Sequence, residues 1–489
     1  MVAPKAVGLK CTQDYILCDI LTYGAQWCRR GGTSKEYEMG GPVPRERSGL
    51  VVVMLCFLTI VADGYDLIVY GATVPSLLDE PGWEMSASTA GLIGSWTLVG
   101  LMVGFLLAGP LADRIGRRKV MMAGVVWFST GCAICAVATS PEFLGAARFF
   151  TGIGLGGVVP SAVALTMEFA PRNRRQIYNG MMLTGYSFGG IIAALVAIAL
   201  LPDNSWRVLY GVGALCVIVV PAMYFWLPES VNSLVTRGKD AEAAELARAY
   251  GLDIDAVRAE QRIQVDAAAS TDSTSGLRML LTRRYLPSLL LFVLVCFCAQ
   301  VITYGLNTWL PVLMRKAGYP LGSSLQFLLV LQVGAIIGMV GGSMLADRYG
   351  SRRILALFFL IGAVSLLALS RKLDTAVLMV AVAGAGLGSI GSSSLAYGYV
   401  AAKYPASCRG SAVGASMGLG RVGSILGPSI GGWLVGSSLG SHWNFYAFAM
   451  PAVIAAVIVI LMPASTVDDE VAQVQAPDPD SGGIIEPAR

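Results

Sequence analysis

The sequence has few of the features that mark enzymes and soluble proteins. Only 13% of its 489 residues are charged, a single histidine is present, and its ten cysteines are scattered without the spacing of a metal site. There is no phosphate-binding loop with its lysine. With a mean hydropathy of +0.65 and 58 glycines, the chain is too apolar for a soluble domain, whereas membrane bundles use glycine for close helix packing. These features predict a membrane protein that is not an enzyme, with no metal, cofactor or nucleic-acid partner.

Long apolar runs divide the chain. A helix needs about 20 apolar residues to cross a bilayer, and twelve such runs predict an all-α membrane protein with six plus six transmembrane helices. We expect a polar leader at 1–49, helical halves at 50–228 and 285–463, and a central loop at 229–284 with a short amphipathic helix. The tail at 464–489 and the leader are expected to be disordered. The predicted spans are 50–78, 89–111, 120–139, 143–167, 177–201, 207–227, 286–314, 323–346, 353–370, 375–402, 410–437 and 443–462.

The leader raises a question about the start of the protein. It shows no helical period and precedes Met39, so we hypothesise that translation starts at Met39, which N-terminal sequencing of the natural protein would check. Lys and Arg are concentrated in the loops that follow spans 2, 4 and 8. By the positive-inside rule these loops, both termini and the central loop are expected to be cytoplasmic.

The two halves carry an internal repeat. GPLADRIGRRK at 109–119 recurs without gaps as SMLADRYGSRR at 343–353. The offset between Asp113 and Asp347 is the same as that between Arg175 and Arg409. Two parallel halves of six helices are a transporter architecture.

The first predicted span holds two acids, Asp63 and Asp66. Residues three apart share a helix face, a charge at bilayer depth costs roughly 3 kcal/mol, and Asp63 lies ~20 Å into the helix. Both acids are therefore expected to face a polar cavity or a cation, which indicates a transport pathway. The alternative is that they are hydrated at the outer end of the helix.

The loop between spans 2 and 3 resembles the signature G-x-x-x-D-R-x-G-R-[RK]-[RK] of the major facilitator superfamily, and the resemblance covers residues 45–463. It implies that fold, with Gly116 allowing a tight turn and Asp113 pairing with arginines to close the cytoplasmic ends of the halves. A loop that only sets topology is the alternative. The residues expected to form the gate are Gly109, Asp113, Arg114, Gly116, Arg117, Arg118, Glu168, Asp347, Arg348 and Arg409, with Glu168 pairing with Arg172 or Arg175.

Within that superfamily the chain resembles the aromatic acid:proton symporters. Four features carry the resemblance: Asp63-Gly64-Tyr65-Asp66 in the first span, Arg148 in the fourth, Glu168 with the basic cluster after it, and Arg421 within GRVGSILGPSIGG. The resemblance implies uptake of benzoate, 4-hydroxybenzoate or related ring carboxylates. The fifth span also has Ala193 and Ala194 where drug antiporters carry Gly-Pro, which favours import.

Candidate roles follow for individual residues. Asp63 or Asp66 would carry the proton, because a low dielectric and a neighbouring carboxylate both disfavour ionisation, and Arg148 would balance the remaining charge. Arg421 is the first choice for the substrate carboxylate, since a guanidinium forms two parallel hydrogen bonds with it. Arg148 is the competitor, and a purely structural Arg421 is the alternative. The ring is expected to contact Tyr70, Tyr186, Gln300, Tyr304, Asn307, Gln332 and Tyr397.

The sequence thus predicts a monomeric, proton-coupled importer of an aromatic carboxylate in the cell membrane, with the proton as coupling ion. The alternatives are a proton symporter for a non-aromatic organic acid and an exporter of a toxic aromatic compound. Ring substituents and proton stoichiometry are left open.

Overall fold

A computed structural model of the chain describes residues 48–171, 174–259, 279–371, 373–404, 406–438 and 442–462. The leader, Arg172 and the tail lie outside these residues, so the predictions made for them stay predictions. The first half consists of α1 (Gly49–Leu78), α2 (Ala87–Ile115), α3 (Arg117–Ala136), α4 (Pro141–Phe169), α5 (Arg175–Leu200) and α6 (Arg207–Trp226).

The second half repeats this arrangement. It consists of α7 (Leu286–Lys316), α8 (Leu321–Tyr349), α9 (Ser351–Leu369), α10 (Thr375–Lys403), α11 (Ala406–Gly436) and α12 (His442–Leu461). Eleven of these helices are long and apolar enough to cross a membrane. The other, α11, has 31 residues and is rich in glycine and serine. The predicted all-α fold of twelve helices in two halves is confirmed.

The internal repeat has a structural basis in two tight turns. Gly116 joins α2 to α3 with φ 104°, and Gly350 joins α8 to α9 with φ 91°. Side chains other than glycine rarely adopt this conformation, which explains why both copies of the motif place glycine there. We call the end of the bundle that carries these two turns the basic end, and the other the opposite end.

The two halves pack closely at the opposite end. A Cβ atom at Gly71 of α1 would overlap the carbonyl oxygen of Asn307 in α7, and one at Gly91 of α2 would approach Pro428 of α11. Ser95 of α2 also bonds across the halves, 2.5 Å from the carbonyl oxygen of Ile425. Glycine and serine let the helix backbones come this close. The bundle is therefore closed at this end.

An ion pair adds to this closure. Arg315, at the end of α7, lies 2.5 Å from the carboxylate of Asp79 and donates to the carbonyl oxygen of Pro75 at 3.1 Å. Lys316 donates to the carbonyl oxygen of Val435 at 2.7 Å. Arg315 and Lys316 lie outside the loops after spans 2, 4 and 8, where basic residues are concentrated. They thus form contacts between helices.

The basic end is open, which differs from the gate predicted from the motif. A Cβ at Gly109, Gly180, Gly398 or Gly410 would meet no atom within 4 Å. Asp113 is exposed, and in the described part of the chain it forms no ion pair. The backbone contacts described between α2 and α11, at Gly91 with Pro428 and Ser95 with Ile425, lie nearer the opposite end. Also exposed here are Arg114, Asp347, Arg348 and Arg409.

Two gate residues have partners in the segment after α6, and the predicted pairing of Glu168 with Arg172 lies outside the described residues. Glu168 accepts a hydrogen bond from the backbone N–H of Asn232 at 2.9 Å. The backbone N–H of Arg118 donates to Glu229 at 3.1 Å, and Arg117 is half-buried beside them. Both carboxylates hold the segment after α6, with its short helices Val231–Thr236 and Asp240–Ala249, against the first half.

Breaking the Arg315–Asp79 pair should favour opening at the opposite end. Because both side chains are partly exposed, the pair is worth about 0.2–1 kcal/mol, so we expect Arg315→Ala to raise the open population by up to roughly fivefold. The measurement is the rate at which an impermeant thiol reagent labels a cysteine at Thr308, which lies against Gly71 across the closed contact. Glu242→Ala, in the exposed Lys239–Glu242 pair, is the matched control. Equal rates in Arg315→Ala and control would contradict this role, as would failure of the charge exchange Asp79→Arg with Arg315→Asp to restore slow labelling.

Candidate functional site

The two acids of α1 are deeply buried. Asp63 is 2% exposed and Asp66 is fully buried. A Cβ on Gly64 between them would overlap the backbone of Tyr186, so this glycine lets α5 press against α1. Asp63 therefore lies next to Tyr186.

Asp66 is held by Arg148 of α4. The guanidinium lies 2.7 Å from Oδ1 of Asp66 and also donates to its backbone carbonyl oxygen at 3.2 Å. The rings of Tyr70 and Tyr210 lie 5.5 and 5.8 Å from the guanidinium, and Cys132 donates to the same carboxylate at 3.1 Å. All of these residues belong to the first half. Asp66 is neutralised within that half, where a buried, hydrogen-bonded pair costs much to break.

Asp63 has a different environment. Its Oδ1 atom has no hydrogen-bond partner among the described residues. Two charges act on it: Asp66, which repels it, and Arg421 of α11, which attracts it. The carboxylate of Asp63 and the guanidinium of Arg421 form no ion pair within 4.0 Å in the described structure. Asp63 thus lies within electrostatic reach of the second half.

Arg421 is half-buried and lies between the two halves. Its guanidinium is 5.0 Å from the ring centre of Phe105 in α2, and it is close enough to act electrostatically on Asp63, Tyr304 and Tyr397. The arginine is therefore available for an anionic group that enters from the basic end.

Aromatic and amide side chains from four helices complete the group. Tyr186 of α5 neighbours Tyr304 of α7. Asn307 donates to the hydroxyl of Tyr186 over 3.5 Å. Gln332 of α8 donates to Asn307 at 2.8 Å. We call the residues Asp63, Tyr186, Tyr304, Asn307, Gln332, Tyr397 and Arg421 the central cluster. Gln300, also predicted, is 8% exposed on α7.

Tyr70 was expected in the ring pocket, and this prediction is wrong. Its hydroxyl donates to the carbonyl oxygen of Ala90 at 2.5 Å and its ring faces Arg148. Tyr70 follows Asp66 by one helical turn but Asp63 by two, so along the helix it lies nearer the Asp66–Arg148 pair than Asp63.

Several contacts were missed from the sequence. Cys132 and Cys135 are spaced so that both face one side of α3, and that spacing could have placed them beside the acids. Nothing in the sequence pairs Phe105 with Arg421, since they lie in different halves. Among the described residues, no group of three or more His, Cys, Asp or Glu could hold a metal ion.

The model of the Major Facilitator Superfamily matches residues 56–370 and 333–482. The chain belongs to the major facilitator superfamily. It is therefore a transporter and not an enzyme, as predicted.

Relatives within the superfamily carry aromatic acids. The chain is 33% identical to the benzoate transport protein of Acinetobacter baylyi, over 84% of this chain and 89% of the relative. It is 32% identical to the gentisate transporter of Corynebacterium glutamicum, over 83% of this chain and 86% of the relative. The chain is thus a multi-pass membrane transporter of this superfamily, and its predicted resemblance to aromatic acid transporters is confirmed.

A solved structure supports the fold. The inward open xylose transporter XylE from E. coli superimposes with a TM-score of 0.67 at 16% identity, over 86% of this chain and 97% of that chain. At this identity the likeness concerns the fold alone.

The transporter's buried pair at Asp66 gives a stability prediction. Arg148→Gln leaves a buried carboxylate without its partner, which typically costs about 3–5 kcal/mol, so the variant should melt at a lower temperature in detergent. Adding Asp66→Asn should recover most of that loss, because the uncompensated charge is removed. The control is Arg207→Gln, at a partly exposed pair with Glu80, which should cost about 0.2–1 kcal/mol. A double variant as unstable as Arg148→Gln would contradict the assignment.

Proposed function

We propose that this transporter imports an aromatic carboxylate together with protons by alternating access. The observation that carries the proposal is the lone Asp63 carboxylate, buried between the halves and attracted by a single nearby guanidinium, Arg421. The identity to the benzoate and gentisate carriers supports an aromatic acid as the substrate.

Coupling follows from competition for one cation. When Asp63 is ionised, it draws Arg421 toward itself, and the arginine is less available to another anion. When Asp63 is protonated, Arg421 is free to take the substrate carboxylate through two parallel hydrogen bonds. Substrate and proton therefore bind together and leave together. Asp66 takes no part in this exchange, because Arg148 holds its charge.

The ring lies between flat side chains in this proposal. Tyr304 and Tyr397 flank the space beside Arg421 and are partly exposed, and aromatic walls with a few polar groups suit a single-ring acid. The closed opposite end and the open basic end describe a state that faces the cytoplasm, if the basic loops are cytoplasmic as the positive-inside rule predicts. Both termini would then be cytoplasmic and the protein would lie in the cell membrane.

The driving force depends on stoichiometry. With one proton per monocarboxylate the cycle is electroneutral, so each unit of pH difference, about 1.4 kcal/mol, supports roughly tenfold accumulation. A second proton would add about 2.3 kcal/mol per 100 mV of membrane potential.

Uptake into energised vesicles tests the proposal. Labelled benzoate and hydroxybenzoates should accumulate more as the external pH falls, since protonation of Asp63 frees Arg421, and a protonophore should abolish accumulation. Short aliphatic acids should not be taken up.

Asp63→Asn mimics the protonated side chain permanently. It should lose accumulation while it still inserts in the membrane and still exchanges labelled for unlabelled substrate. Asp66→Asn should also lose uptake, because Arg148 is released. Asp203→Asn, in the exposed loop before α6, is the matched control and should be active. Full accumulation by Asp63→Asn, or uptake that does not respond to a protonophore, would overturn proton coupling.

A further inference from the structure

The tight turn of the first half holds a carboxylate. We call the turn at Gly116 the first turn and its repeat at Gly350 the second turn. A Cβ at Gly116 would overlap the carboxylate of Glu229. That carboxylate accepts a hydrogen bond from the backbone N–H of Arg118 at 3.1 Å, and the guanidinium of Arg237 lies 3.5 Å from it. Because the first N–H groups of a helix have no partner within the helix, they bind anions. The segment after α6 thus supplies an acid to the turn of its own half.

The second half repeats the helix contact beside the turn. At the start of α3, Arg118 donates to the carbonyl oxygen of Tyr224 near the end of α6. At the start of α9, Arg352 donates to the carbonyl oxygens of Val459, at 3.2 Å, and Ile460 near the end of α12. Arg118 and Arg352 occupy the same position in the two copies of the motif. The chain that follows α12 therefore begins beside the second turn, as the chain that follows α6 begins beside the first.

The second turn has no matching acid among the described residues. Gly350 is exposed, and a Cβ there would meet no atom within 4 Å. The chain after α6 reads Pro-Glu-Ser at 228–230, whereas the chain after α12 reads Pro-Ala-Ser at 463–465. An alanine thus stands where the first half has Glu229.

Positive charge at the second turn is not balanced within the described part of the second half. Arg352 and Arg353 lie in the first turn of α9, and Lys403 is close enough to Arg352 to repel it. The described acids of this half are Asp347, which is exposed and forms no ion pair there, and Asp374, which begins α10 at the opposite end. An anion at the second turn would lower the repulsion between these cations.

The chain that follows α12 carries acids close to this turn. Residues 464–489 contain one basic residue, Arg489, and six acids, at 468, 469, 470, 478, 480 and 486. Asp468 follows Leu461, the last residue of α12, by seven positions. Seven extended residues reach up to about 25 Å, and the end of α12 already contacts Arg352. The first acids of the tail can therefore reach the second turn.

From these observations we infer that the acidic segment Asp468–Glu470 binds the second turn, where its carboxylates accept hydrogen bonds from the backbone N–H groups at the start of α9 and pair with Arg353. The segment ties the chain after α12 to the second half, as Glu229 ties the chain after α6 to the first. A tail predicted to be disordered would become ordered at these three residues. Tethering favours this occupant over the phosphate of an anionic lipid, because a group attached by a short linker has an effective concentration in the millimolar range.

Hydrogen exchange of the full-length protein in phosphatidylcholine nanodiscs tests this binding. A bound carboxylate should slow exchange of the backbone amides at 351–353. Replacing the segment with Asp468→Asn, Asp469→Asn and Glu470→Gln together should speed their exchange about tenfold, as expected for the loss of a hydrogen bond to a charged group. Unchanged exchange in this triple variant would overturn the inference.

A matched control removes the same charge farther along the tail. Asp478→Asn, Asp480→Asn and Glu486→Gln together should leave exchange at 351–353 as in the wild type, and equal acceleration in both triple variants would overturn the inference. Glu229→Gln should speed exchange at the start of α3 and not at the start of α9. Slow exchange at 351–353 that requires phosphatidylglycerol in the nanodiscs, in the wild type and the first triple variant alike, would identify a lipid headgroup as the occupant and overturn the inference.

A zero-length crosslink locates the segment. A carbodiimide joins a carboxylate to a lysine amine as an amide with loss of water, so Arg353→Lys should crosslink to the segment Asp468–Glu470, as detected by mass spectrometry of the digested protein. Arg371→Lys, exposed at the opposite end, is the matched control and should give no crosslink to the tail. A folded Arg353→Lys variant that crosslinks only to acids beyond Glu470, or to none in the tail, would contradict the inference.

Discussion

The ion pair between Arg148 and Asp66 determines how the rest of the site works. It lies fully buried within the first half, 2.7 Å between its atoms, between two tyrosine rings. Because this pair neutralises one of the two acids in α1, the other, Asp63, is the one left without a partner of its own. The guanidinium that attracts Asp63, that of Arg421, belongs to the other half. In the proposed mechanism, the ionised Asp63 carboxylate and the substrate carboxylate therefore compete for Arg421 at the place where the halves meet.

The same interface explains how movement can be coupled to binding. Glycine and serine bring the halves together at the opposite end, near Gly71, Gly91 and Ser95, whereas a Cβ at Gly109, Gly180, Gly398 or Gly410, toward the basic end, would meet no neighbour within 4 Å. The halves are thus joined by close contacts at one end and by the central cluster at mid-depth. In the proposed mechanism, a change in charge at Asp63 acts on the central cluster and so on the relative stability of the states open to either side.

The positions of the helices could be predicted from the sequence, because the length of an apolar run is itself the requirement for a span. The different roles proposed for the two acids could not be predicted from it. Residues three apart differ by about 60° around a helix and 4.5 Å along it, which is enough to turn Asp66 toward Arg148 and Asp63 toward Arg421. Tyr70 was misplaced for a different reason, since it lies about two helical turns, roughly 10.5 Å, from Asp63 but only one turn from Asp66. The open basic end was not predictable, since one sequence encodes every state of the cycle and the signature motif describes the closed one.

Proton uptake on substrate binding to the purified transporter tests the central claim most directly. At a pH where Asp63 is ionised, binding of an aromatic carboxylate should draw a proton from solution, measured with a pH indicator or from the buffer dependence of the binding enthalpy, because binding favours the protonated form. The account predicts proton uptake by the wild-type protein and by a folded Asp66→Asn variant, and none by Asp63→Asn. Undiminished proton uptake by Asp63→Asn would contradict it.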